Sequence, residues 1–208
     1  AHTQEGPYIR VHMDSGGMPK IWPPFPDFSQ EEWSEYNAQI DKAIELVRPS
    51  MERLEEMLDD YEVTVGLETH GSFSSNYIFH EKFEKEFQHD KYEWIFDIGN
   101  FQNEDMRFKS LDLLKDNICY LHAASRKYNE EGFPVGIQGL NYPRAVKELK
   151  NAGFDGTWSI EFKGPNGLLG VHQTQEYIKY SFAKAEGKDY SMKTDFPSND
   201  ELVEKYKV

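Results

Sequence analysis

Cysteine is almost missing from this 208-residue chain; Cys119 is the only one. A lone cysteine closes no internal disulfide, which suits a reducing, cytoplasmic setting. Its place between Ile118 and Tyr120 in an apolar run reads as a buried structural thiol. Long hydrophobic runs are missing too. No stretch approaches the roughly 18 apolar residues that span a bilayer, so no membrane-crossing helix is expected. The opening residues AHTQEGPYIR are polar, and no secretion signal is expected in them. Positive charge is scarce: 23 Lys and Arg stand against 37 Asp and Glu, a formal net charge of -14. Such a chain repels phosphate backbones, and its basic residues are scattered rather than clustered, so no nucleic-acid partner is expected. No internal repeat stands out, and GPNGLLG (164–170) is only a weak candidate for a phosphate-cradling loop.

What remains is an ordinary globular composition, long enough for one sizeable core. Strand-like and helix-like segments alternate, which points to an α/β fold with a parallel sheet. Strands are expected at 8–14, 63–68, 92–97, 118–122, 133–139 and 157–162. Helices are expected from Ser29 onward, at 77–88, at 104–115, from a first turn holding Pro143 to an end before Gly153, and at 172–186. Ser29 and Glu32 form a capping box, and Pro49 predicts a kink or break near Arg48. The domain is expected over residues 1–186, with an aperiodic polar tail over 187–208. A full (β/α)8 barrel takes roughly 250 residues. About two N-terminal βα units are therefore expected to be absent from this chain, or supplied by a partner chain that completes the barrel.

Four apolar runs end on chemistry-bearing residues: Glu68 in VTVGLETHG, Asp97 in WIFDIGN, His122 in ICYLHAAS and Glu161 in TWSIEFKG. In a barrel of alternating strands and helices, C-terminal strand ends meet at one mouth. Three carboxylates and one imidazole there make a hard, mostly oxygen site for one divalent metal ion. Mn2+ is favoured, with Mg2+, Co2+ or Zn2+ as other occupants.

These stretches, together with GLNYPRAVKELKNAGFDGTWSIEF, resemble the xylose-isomerase-like TIM-barrel superfamily of sugar and sugar-phosphate isomerases and epimerases. Its pattern is a Glu, an Asp-x-Gly, a strand-end His, then a Tyr-Pro turn, a helix and a final Ile-Glu. The four residues follow at intervals of 29, 25 and 39. The resemblance implies that Glu68, Asp97, His122 and Glu161 hold the metal, and that Glu68 and Glu161 flank a sugar or keto-sugar. One Glu would take the proton next to the carbonyl, and a carboxylate would return it after an enediolate. Isomerisation and epimerisation follow from where the proton returns. Loss of a hydroxyl instead would make a dehydratase or lyase acting on a keto-sugar or cyclitol. A non-catalytic or split-barrel subunit is a further alternative. Phosphodiester cleavage, known in the same barrel, is disfavoured by the charge and by Asn100, where many relatives carry a His. Ala123-Ala124 likewise replaces a common Lys-Asp. Homo-oligomers are frequent in the superfamily, and one is expected here.

Around these residues, His70 shares the face of Glu68 by strand alternation, and His12 shares a face with Arg10 and Asp14. Both are candidates for substrate contact, as are Asn100 and Trp22, the latter with Phe25 in a Pro-rich loop suited to stacking on a sugar. Arg126 and Lys127 read as an anion contact or as solvated surface. His80, His89 and His172 read as structural or surface residues.

Overall fold

A computed structural model of the chain describes residues 8–13, 28–61, 63–71, 73–87, 92–134 and 140–207. Its strands are β1 (Tyr8–His12), β2 (Thr64–Glu68), β3 (Tyr92–Asp97), β4 (Ile118–Ser125) and β5 (Thr157–Phe162). They form a single five-stranded sheet in chain order, and every pairing is parallel. Parallel neighbours need a crossover, here made by α1 (Gln30–Leu58), α2 (Tyr77–Glu86), α3 (Glu104–Leu114) and α4 (Tyr142–Asn151). α5 (Gly167–Ala185) and α6 (Asn199–Tyr206) follow the last strand. A sheet that keeps chain order is the wall of a TIM barrel; a doubly wound sheet reverses its order at a switch point. Among the described residues no helix is long and apolar enough to cross a membrane.

Local signals explain most boundaries. Ser29 accepts the Glu32 N–H at 3.3 Å while Glu32 accepts the Ser29 N–H at 2.7 Å, the reciprocal cap expected at the start of α1. Pro143 opens α4, and Gly153, at φ 83°, follows its end with the Phe154 N–H returned to the Leu149 carbonyl. Behind the sheet, Phe79, Phe83 and Phe87 of the α2 segment meet Tyr92 and Trp94 of β3 in an aromatic layer.

Four expectations change. α1 runs unbroken through Pro49, because Ile40, Ala43, Ile44 and Val47 before it and Met51 after it bury one continuous face. That packing offsets the ~3 kcal/mol cost of an interior proline. Of the strand expected at 133–139, residues 135–139 lie outside the described residues, and Pro134 makes one antiparallel bridge to Tyr128. β4 instead pairs directly with β5, from Tyr120 opposite Thr157 to Ser125 opposite Phe162, giving five strands among the described residues where six are expected. The tail contains α6, started by a Ser198–Glu201 capping box and docked on α5 through buried Leu202 and the stacking of Tyr206 on His172. Cys119 is half-buried, its Sγ 3.4 Å from the Trp94 carbonyl. Trp22, Phe25, Asp14 and His89 lie outside the described residues.

His80 is fully buried among Phe79, Trp94 and Phe101, and its Nε2–H donates to the Ser74 carbonyl at 2.9 Å. Its Nδ1 is buried without a hydrogen-bond partner. Desolvation pushes the ring down to about 4, only partly opposed by the Ser74 bond. Above the ordinary pKa of 6.5 both folded and unfolded chains hold this ring neutral. As pH falls from there toward 4, the unfolded chain takes up a proton that the native state refuses, so stability is lost. Urea unfolding at pH 7 and pH 5 should show a loss about 2 kcal/mol smaller in His80→Asn than in the parent. Equal losses would contradict this.

Candidate metal centre

Strand register carries the four candidate residues to one face. Glu68 stands opposite Ile95 of β3, so Asp97 lies two residues further along and points the same way. Asp97 pairs directly with His122. On β5, Glu161 pairs with Ala124, again two residues beyond His122. Offsets of zero or two preserve the face, and the net stagger is that of tilted strands in a barrel wall. One ligand atom from each of Glu68, Asp97, His122 and Glu161 lies within 4.8 Å of all the others.

Glu68, Asp97 and His122 are buried, whereas the Glu161 side chain is 43% exposed. His122 Nδ1 lies 2.9 Å from Glu68 Oε1 and 3.8 Å from Glu161 Oε2. Glu68 Oε2 is buried and accepts no hydrogen bond. His12 Nε2 is in ion-pair contact with this oxygen, and Arg10 Nε is 3.6 Å away. Asp97 is held firmly: its Oδ1 accepts the Gly99 N–H at 2.7 Å, and its own N–H donates to Thr69 Oγ1 at 2.9 Å. A Cβ on Gly99 would lie 2.8 Å from that of Ala124, so the glycine of Asp-x-Gly and the small Ala124 are one packing requirement.

Desolvation pushes Asp97 up to about 6, against the opposing pull of Lys163 and the Gly99 N–H. Desolvation is also the largest single influence on Glu68, yet His122, His12 and Arg10 together hold that carboxyl below its usual range. The His70 imidazole is lowered, first by burial and then by the charge of His12. These two rings stack with centroids 4.5 Å apart, and His70 Nδ1 is buried without a hydrogen bond. Arg10 and His12 thus border Glu68, as their shared strand face predicts, with His70 beside them.

Asn100 has both ends of its amide engaged. Its Nδ2 donates to the Thr69 carbonyl at 3.1 Å, and its Oδ1 accepts from Lys163 Nζ at 2.9 Å. Lys163 is the residue that sequence reasoning missed. Its ammonium also donates to Asp97 Oδ2 at 3.1 Å and lies 3.4 Å from Glu161 Oε2. The available signal was its position two residues after Glu161, on the same alternating face. Arg126 and Lys127 are exposed.

The donor set fits a divalent cation. Three carboxylates and an imidazole are hard to intermediate ligands, and one ligand atom from each lies within 4.8 Å of the others, the chemistry and spacing that a divalent cation takes.

Comparison with known proteins agrees with this architecture. The family model for the xylose isomerase-like TIM barrel matches residues 16–183. No curated protein matches the chain. A D-tagatose 3-epimerase-like protein superposes with a TM-score of 0.50 at 17% identity, over 86% of this chain and 63% of that one. A xylose isomerase domain protein from Planctomyces limnophilus superposes with a TM-score of 0.51 at 15% identity, over 87% of this chain and 60% of that one. At such identities the likeness is one of fold, and this chain spans less than two thirds of either structure. By the extent of the family match and by its consecutive parallel strands, the chain belongs to the xylose isomerase-like TIM-barrel family.

Proposed function

We propose that this chain carries the catalytic centre of a divalent-metal-dependent sugar isomerase or epimerase, which moves a proton next to a carbonyl. The observation that carries the reading is the convergence of Glu68, Asp97, His122 and Glu161 from four successive strands to within 4.8 Å. These four would hold the ion, Mn2+ being favoured. When bound, it polarises the substrate carbonyl and offsets the charge that develops in the enediolate.

The chain's own residues divide the remaining work. Glu161 is the open member of the set, and its half-exposed carboxylate is free to reach a bound sugar and take the proton next to the carbonyl. Glu68 is enclosed and kept ionised by His122, His12 and Arg10, which suits the second carboxylate of the pair. His12, with 38% of its side chain exposed, borders the mouth and can hydrogen-bond a substrate hydroxyl; stacked His70 fixes its ring plane. Asn100 acts through Lys163, since its amide is already committed to Thr69 and Lys163.

Elimination from a keto-sugar or cyclitol shares the first proton transfer, and product analysis separates the two outcomes. The test is deuterium uptake from D2O by a panel of keto-sugars, read by NMR in the presence of Mn2+. Uptake at a carbon next to the carbonyl is expected. Glu161→Gln should keep the fold and most of the metal affinity while slowing exchange by about 100-fold or more. Undiminished exchange in that variant would rule out the proposed acid–base pair. Asp97→Ala and His122→Ala should weaken Mn2+ binding first, as read by calorimetry, and unchanged affinity in both would remove them from the ligand set.

A further inference from the structure

Lys163 is fixed by backbone rather than by chance. Its N–H donates to the Ser125 carbonyl at 2.8 Å, which extends the β4–β5 ladder one residue past Phe162. The next residue is pressed against the β4 end: a Cβ on Gly164 would lie 1.9 Å from the Arg126 carbonyl oxygen. Only glycine fits there, and this close approach carries the preceding lysine over the cluster. Its side chain is 23% exposed, and its ammonium reaches Asp97 Oδ2, Glu161 Oε2 and Asn100 Oδ1. Asp97 Oδ1 accepts the Gly99 N–H and Oδ2 accepts from Lys163, so Lys163 occupies the Asp97 oxygen that no backbone group uses.

From this placement, and resting on the metal-site reading above, we infer that Lys163 is a tethered competitor for the divalent ion, a residue that sets metal affinity. It shares two of the ligand carboxylates with the ion and adds positive charge beside it, so it weakens binding and keeps the ion exchangeable. Asn100 serves this role by holding the ammonium in place.

The experiment is calorimetric titration of Mn2+ into the chelator-stripped chain, compared with Lys163→Met, Lys163→Gln and Lys163→Arg at one pH and ionic strength. Loss of a charge-assisted bond to Asp97 should tighten Mn2+ binding about tenfold to a hundredfold in the Met and Gln variants. Lys163→Arg, which keeps the charge, should stay near the parent value. A second readout is thermal. With chelator present the neutral variants should melt below the parent, and added Mn2+ should raise their Tm by more than it raises the parent's. Equal or weaker affinity in both neutral variants would overturn the inference while leaving the metal site intact. Absence of Mn2+ binding in the parent and every variant would overturn the metal-site reading, and this inference with it.

Discussion

Negative charge held out of water is the constraint around which this sheet is organised. Glu68 and Asp97 are almost wholly buried, and Glu161 closes the same cluster. Carboxylates removed from solvent raise each other's free energy and lose their hydration, so each must be neutralised or ligated. The chain meets this on both sides. His122, His12 and Arg10 lie around Glu68, while Lys163 and the Gly99 N–H meet Asp97. The balance is uneven: Glu68 is held ionised, whereas Asp97 is still pushed up to about 6. A divalent cation among these oxygens would complete the compensation that the side chains leave unfinished.

Geometry does the rest. Consecutive parallel strands with register offsets of zero or two residues keep the four candidate side chains on one face, so neighbouring strands supply neighbouring candidate ligands. Close backbone approaches then lock the rim. Gly99 against Ala124 aims Asp97, and Gly164 against Arg126 aims Lys163. A single side chain added at either glycine would have to displace its neighbour, which is why both positions belong to the site although neither carries chemistry.

Much of this was legible in the sequence. Glu68 and Asp97 could be read as strand ends because their short apolar runs close on turn residues. Glu161 stands one residue before the end of β5, while β4 runs three residues past its expected end at His122, through Ser125. What failed to show was decided by long-range packing. The step of two from Glu161 puts Lys163 on the same face, but the close approach of Gly164 to the Arg126 carbonyl beside it is a long-range contact that local pattern does not encode. α6 is too short to be stable by propensity alone and exists through Leu202 and Tyr206 docking on α5. The direct pairing of β4 with β5 depends on how two distant segments meet, which local pattern does not encode. Pro49 obeys the opposite lesson: a strong local breaker loses to a long buried helix face.

The most direct test is a crystal structure of the chain grown or soaked with Mn2+, with anomalous scattering used to locate the ion. One anomalous peak is expected at oxygen-ligand distance, about 2.0 to 2.3 Å, from carboxylates of Glu68, Asp97 and Glu161 and bonded to His122. A strong peak elsewhere, with these four side chains still bonded only to one another and to Lys163, would contradict it.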